Sequence, residues 1–276
     1  MLLKFTKMHG LGNDFVVIDA ISQCVTITPE IAKKLGDRHF GVGCDQILVI
    51  ESPTQPDIDF RYRIFNNDGT EAEQCGNGAR CLAKFVRNRK LTGKSKILVE
   101  TVGGIIELQL QNNQLITVNM GLPVFDPKEI PFSVTQQQTT YKIPIEGSDL
   151  LISAISMGNP HAVLKVDDVC TASVEFLGLA IGKHALFPKQ ANVGFMQVLN
   201  PHEINLRVYE RGAGETLACG SGACAAVVAG QLQGLLESPV TVNLTSGSLT
   251  IEWPGHEHPV MMTGQATTVY HGRINV

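Results

Sequence analysis

Two stretches of this chain place a cysteine ahead of the same short run. Glu71-Ala-Glu-Gln-Cys-Gly-Asn-Gly-Ala-Arg80 and Glu215-Thr-Leu-Ala-Cys-Gly-Ser-Gly-Ala-Cys224 lie 144 positions apart, and each carries Cys-Gly-x-Gly-Ala. After each cysteine the residues turn helical, Ala79, Leu82, Ala83 and Val86 giving the spacing of one helix face. Each thiol should therefore sit at a helix mouth, where backbone N–H groups are unpaired. A free cysteine titrates near about 8.5 and a helix N-terminus lowers that value, so a thiolate poised near neutral pH is expected. Two such groups facing each other suit the inversion of a stereocentre. One takes the proton from carbon while the other delivers a proton from behind. The N–H groups around Gly76, Asn77, Gly220 and Ser221 would stabilise the charge that builds on a neighbouring carboxylate.

Each of these residues has a plainer reading. A lone cysteine is most often a small core residue, and Cys81 and Cys224 are read that way. For Cys75 and Cys219 the duplication reverses the balance, since a glycine-rich helix entrance hides a thiol poorly. Zinc is disfavoured, because spacings of six (Cys75 to Cys81) and five (Cys219 to Cys224) do not put two ligands on one helix face. His161, in Gly158-Asn-Pro-His161, would by itself be structural, but Asn159 beside it repeats Asn13. Glu210-Arg211 is either a surface ion pair or a binder of a zwitterionic amino acid, with the guanidinium forked onto a carboxylate. Gly220-Ser-Gly-Ala-Cys-Ala225 fits the loose dinucleotide pattern without the immediate strand-to-helix turn that site needs. Gly178-Leu-Ala-Ile-Gly-Lys183 falls one residue short of a phosphate loop.

The elements that must position these groups come in two copies. Gly12-Asn13 returns as Gly158-Asn159, Val42-Gly43 with Gln46 as Val193-Gly194 with Gln197, and Arg63-Ile-Phe65 as Arg207-Val-Tyr209. The cysteine loops follow, and later Gly104 matches Gly247 and Val118-Asn-Met-Gly121 matches Met261-Met-Thr-Gly264. The expected fold is α+β, with two pseudo-symmetric halves, each a mixed or antiparallel sheet around a central helix. Their bounds are read as 1–121, completed by a strand over 265–276, and 122–264. Thr28-Pro29-Glu30 predicts a short helix ending near Gly36. Strands are expected at Phe15–Ile18, Ile47–Ile50, Arg61–Phe65, Ile97–Thr101, Ile105–Leu110 and Leu115–Met120. The second central helix, Ala223–Ala229, is apolar all round and should be the more enclosed.

Composition narrows the class. With 276 residues, 43% apolar, 17% charged and net charge −4, the chain reads as an ordinary globular protein with no pull toward nucleic acid or anionic membrane. No run of about 18 apolar residues suggests a membrane span, and the N-terminus lacks a signal-peptide core. Seven cysteines, an odd number in a chain this long, point to reduced thiols and a cytoplasmic setting.

Nearly end to end, the sequence resembles the diaminopimelate epimerase family. The motifs are His9-Gly-Leu-Gly-Asn-Asp-Phe15, Gln74-Cys-Gly-Asn-Gly-Ala-Arg80, Met157-Gly-Asn-Pro-His161, and Tyr209-Glu-Arg-Gly-Ala-Gly-Glu215 leading into Ala218-Cys-Gly-Ser-Gly-Ala223. The resemblance implies interconversion of LL- and meso-2,6-diaminoheptanedioate, in lysine and peptidoglycan precursor synthesis, without pyridoxal phosphate or metal. It implies Cys75 and Cys219 as the acid/base pair, with Gly76, Asn77, Gly220 and Ser221 on the reacting carboxylate. Asn13, Gln46, Asn66, Asn159, Asn192, Glu210 and Arg211 match positions lining the substrate site, and His161 and Glu210 match auxiliary catalytic positions. It also implies a homodimer. The alternatives are another two-cysteine racemase acting on proline or hydroxyproline, a non-catalytic amino-acid-binding protein, and a thiol redox protein, the last without its Cys-x-x-Cys.

Overall fold

A computed structural model of the chain describes residues 1–72 and 75–276; Gln74, the first residue of one motif, lies outside them. The fold is mixed α+β, and the chain separates into two compact units, Met1–Asn119 with Thr263–Val276, and Met120–Met262.

The first unit opens with a hairpin, β1 (Leu2–Gly10) and β2 (Asn13–Asp19), turning through Leu11 and Gly12, both at positive φ. Then come α1 (Pro29–Gly36), β3 (Gln46–Glu51), β4 (Phe60–Asn66) and the two-residue β5 (Glu71–Ala72). The central helix α2 (Gly76–Asn88) leads into β6 (Lys96–Thr101), β7 (Gly104–Leu110) and β8 (Ile116–Asn119). α1 starts where Thr28 accepts the Ile31 N–H and Pro29 fills the first helical position, a cap that stabilises such a helix by about 1 kcal/mol. Strand β2 is buried from Phe15 to Asp19 because helices cover both faces: Val16 and Ile18 join Ala32 and Leu35 of α1 in one core, and α2 packs on the sheet as well.

The second unit repeats this path. It runs β9 (Tyr141–Ile145), β10 (Ser148–Ser156), β11 (Pro160–Lys165), α3 (Val174–Gly182), β12 (Asn192–Asn200), β13 (Glu203–Glu210) and the short β14 (Gly214–Thr216). The second central helix α4 (Gly220–Leu232) precedes β15 (Val240–Leu244) and β16 (Gly247–Glu252), and β17 (Met261–Gly264) carries the chain across the division between the units. α4 buries every residue from Gly222 to Gly230, and Gly234 at φ +70° turns the chain out of it. The last strand, β18 (Thr267–Asn275), pairs antiparallel with β1.

Pairing is the same in both units. β1–β2 is antiparallel, β2–β3 parallel, β3–β4 antiparallel, β4–β6 parallel and β6–β7 antiparallel. β10–β11, β11–β12, β12–β13, β13–β15 and β15–β16 follow that sequence, and β18 stands to β1 as β9 does to β10. One expected correspondence fails. Val42 and Gly43 lie in the loop before β3, whereas Val193 and Gly194 are inside β12. The counterpart of Gln46, which opens β3 opposite Asn66, is Asn192, which opens β12, and not Gln197.

Candidate active site

Both cysteines are helix N-caps. Cys75 precedes α2 in extended conformation, and its sulfur accepts the Gly78 N–H at 3.4 Å. Cys219 takes the same place before α4, close to Ser221 Oγ at 3.6 Å. The second glycine of each motif has no room for a free side chain. A Cβ on Gly78 would stand 2.2 Å from Tyr62 Oη, and one on Gly222 would lie 3.3 Å from the Cys219 sulfur itself.

A brace holds each loop that leads into its cysteine. Arg63 on β4 grips Glu71 through Nε and Nη2 at 2.7 and 2.9 Å. Arg207 on β13 grips Glu215 in the same bidentate way at 2.6 and 2.7 Å and adds a bond to the Val169 carbonyl.

In the first unit, Asn13, Gln46 and Asn66 stand at one end of β2, β3 and β4. Gln46 donates to Asn66 Oδ1 at 3.0 Å, and Asn66 donates to Thr70. Asn13 Oδ1 accepts from the Cys75 thiol at 3.7 Å and from Asn77 Nδ2 at 3.3 Å. Behind it, Asp14 binds Lys7 and Arg38. Burial opposes its ionisation, but those hydrogen bonds prevail and hold its pKa down to about 2.

In the second unit, the Cys219 thiol donates to Glu210 Oε2 at 3.2 Å, and Thr216 donates to Oε1 of the same carboxylate at 2.5 Å. This departs from the expected poised thiolate. Burial pushes the Cys219 pKa well above its usual value and the adjacent Glu210 charge pushes it further, outweighing the Ser221 and Gly222 hydrogen bonds at the helix end. Cys219 is a protonated thiol beside a carboxylate.

His161 is buried, 1% exposed, and pairs through Nε2 with Asn159 Oδ1 at 3.0 Å. Burial, helped by the Arg211 charge, lowers its pKa to about 3, so the ring is neutral. Nε2 then carries the proton, and Nδ1, buried without a partner among the described residues, is a bare acceptor. Asn192 accepts the Arg211 N–H at 2.8 Å, while the Arg211 guanidinium donates to the Lys189 carbonyl and is not engaged with Glu210. Among the described residues no cluster of three or more His, Cys, Asp or Glu is arranged to hold a metal ion.

The matching family model is that of diaminopimelate epimerase, over residues 5–125 and 153–269. The chain belongs to the diaminopimelate epimerase family. A curated relative from Teredinibacter turnerae, named diaminopimelate epimerase, is 59% identical over 276 residues, the whole of both chains. Among solved structures, a Bacillus anthracis phenazine biosynthesis protein of the PhzF family aligns with TM-score 0.73 at 18% identity, covering all of both chains. A hydroxyproline epimerase from Agrobacterium vitis aligns with TM-score 0.73 at 12% identity, over 99% of this chain and 92% of its own. These two likenesses speak to the fold alone. Thr216, Gly78, Gly222, Arg38 and Asp45 also build the two cysteine settings and are not among the residues expected there. Thr216 and the two glycines were legible as parts of the repeated loop; Arg38 and Asp45 carried no signal, because their partners come from another strand.

Proposed function

We propose that this chain epimerises LL- and meso-2,6-diaminoheptanedioate by proton transfer between one α-carbon and two cysteines, Cys75 and Cys219. Each stereoisomer loses its α-proton to one sulfur and gains a proton from the other. Backbone N–H groups of Gly76, Asn77, Gly220 and Ser221, in the first turns of α2 and α4, hold the reacting carboxylate, where a helix N-terminus favours the growing negative charge. Asn13, Gln46, Asn66, Asn159, Asn192, Glu210 and Arg211 bind the remainder. Separate recognition of the far end is required, because only one of two similar centres reacts. Glu210 takes the Cys219 proton when that sulfur must act as base, and His161 serves as an auxiliary acceptor. The reaction takes no cofactor.

The observation that carries this reading is the repeated setting: two cysteines, each capping a helix behind a bidentate Arg–Glu brace, in two units of one topology. We also infer a cytoplasmic homodimer. Free cysteines throughout fit a reducing compartment, and no helix among the described residues is long and apolar enough to cross a membrane. Light scattering on the purified protein tests the dimer.

The deciding assay is α-proton exchange in deuterated water with LL-diaminopimelate, using proline and hydroxyproline as controls. Deuterium entering one α-position with formation of the meso isomer is expected. No exchange with diaminopimelate, or faster exchange with proline, would overturn the assignment.

A further inference from the structure

Asn13 reaches Cys75 through its amide oxygen, and what decides that orientation lies farther from the sulfur. The Asn13 nitrogen donates to Asp45 Oδ2 at 3.0 Å. Asp45, in the loop before β3, also accepts the Asp14 N–H at 3.1 Å and Arg38 Nη2 at 2.8 Å. Arg38 holds Asp14 as well, and Asp14 in turn accepts the Asp45 N–H at 2.9 Å. At the other end of the chain of amides, fully buried Arg80 donates to Asn77 Oδ1 at 2.9 Å, leaving the Asn77 nitrogen to donate to Asn13.

A side-chain amide can turn either its oxygen or its nitrogen toward a neighbour, but a carboxylate only accepts and a guanidinium only donates. With Arg80 at one end and Asp45 at the other, these contacts are all satisfied in one arrangement, the one that aims the Asn13 oxygen at the sulfur.

We propose that Asp45 is a positioning residue that fixes the Asn13 amide so that an acceptor, not a donor, faces Cys75. The proposal rests on reading Cys75 as an acid/base group. An acceptor beside the sulfur favours the thiol and opposes the thiolate; an amide turned the other way would donate to the thiolate. Asp45 therefore biases Cys75 toward the thiol, against the Gly78 N–H at the helix end, which favours the thiolate. Among the described residues, Tyr62 from β4 and Cys81 from α2 are titratable groups in electrostatic reach of Cys75. Burial holds Tyr62 well above its ordinary pKa and lifts Cys81 to about 12, so both stay protonated through neutral pH.

The test is the rate at which iodoacetamide alkylates Cys75, resolved from Cys219 by peptide mass spectrometry, from about pH 6 to about pH 9, the range over which thiols change state. In Asp45→Asn, Arg38 still needs an acceptor, so the new amide nitrogen faces Asn13 and draws the Asn13 oxygen away from the sulfur, against the remaining hold of Asn77. Alkylation of Cys75 near neutral pH should rise about tenfold, one unit of effective pKa, with Cys219 unchanged. In the charge-conserving swap Asn13→Asp with Asp45→Asn, a carboxylate faces the sulfur, and the rate should fall below that of the unaltered protein. An unchanged Cys75 rate in Asp45→Asn, or equal acceleration at Cys75 and Cys219, would overturn the proposal. If Asp45→Asn does not fold, the swap decides: slower alkylation supports the proposal, and an equal or faster rate sinks it. Alkylation does not depend on turnover. A protein that alkylates as described but exchanges no α-proton of diaminopimelate would refute the epimerase reading and leave this one standing.

Discussion

Cys75 and Cys219 occupy matching places in two units of one topology, yet the groups that receive their thiol protons differ in kind. In the first unit the acceptor among the described residues is an amide oxygen, Asn13 Oδ1, which cannot take the proton over. In the second it is the Glu210 carboxylate, which can. The divergence sits at one strand-end position. Asn66 closes β4 opposite Gln46, and Glu210 closes β13 next to the Val193–Tyr209 pair, beside Asn192. Asn66 is tied to Gln46 and Thr70, whereas Glu210 is tied to Thr216 and to the thiol. The helices diverge likewise: α2 carries Arg80, Lys84 and Arg87, and α4 has no charged residue. A duplicated backbone has kept its geometry while the two thiols acquired different proton economies.

The bluntest way to break the comparison is to remove one sulfur. Cys75→Ala and Cys219→Ala should each lower epimerisation by at least about 10³-fold, the scale of a lost general acid or base, measured by chiral chromatography of diaminopimelate. A single variant that keeps full activity would show that only one unit does chemistry.

Glu210→Gln should act more mildly and on one side only. Removing the carboxylate takes away the acceptor for the thiol proton, so kcat should fall about 10²-fold with KM less affected. It also removes one of the causes that raise the Cys219 pKa, so alkylation of Cys219 at neutral pH should become faster. An equal loss of activity on Asn66→Gln would mean that the two strand-end positions are not different in role.

The two Arg–Glu braces offer a graded contrast. Both pairs are partly exposed, so the contrast rests on the extra bond to the Val169 carbonyl: Arg207→Met should cost about 2 kcal/mol of unfolding free energy and Arg63→Met about 1 kcal/mol. Urea denaturation measures both, and equal costs would remove the contrast.

The residues that announce themselves in the sequence are those whose partners are near in sequence or whose motif recurs. Both central helices were legible from Cys-Gly-x-Gly-Ala and apolar spacing, and α1 from Thr28-Pro29. Strand β1 was not, because Thr6 and Lys7 interrupt its apolar pattern. They are buried in the sheet, where Thr6 meets His271 and Lys7 meets Asp14. Helix α3 was obscured by Gly178 and Gly182. A Cβ at Gly178 would stand 2.4 Å from the Tyr209 ring, so that glycine serves close packing onto β13 and not a loop. At the site, the cysteines, asparagines and glycines were legible; the protonated state of Cys219 was not, because burial is a property of the whole unit and overrides the local helix end. Gln197 was paired with Gln46 by residue type, but strand register decides counterparts, and it selects Asn192.

Acid should separate the units by the state of one residue in each. His161 is neutral in the fold with its pKa lowered from 6.5 to about 3, so an unfolded chain gains a proton there that the folded one refuses. Its contribution is complete above about pH 6.5 and declines as the pH falls toward about 3. Asp14 is ionised in the fold with its pKa lowered from 3.8 to about 2, and its contribution survives until the pH drops below about 3.8. Between about pH 6.5 and 4, then, β10, β11 and β12 around His161 should lose protection from hydrogen–deuterium exchange, corrected for intrinsic rates, before β1, β2 and β3 around Asp14. His161→Gln should flatten that decline in the second unit and leave the first unchanged. Simultaneous loosening of both sets of strands, or the reverse order, would mean that the acid response belongs to groups shared by the two units and not to the residue that distinguishes them.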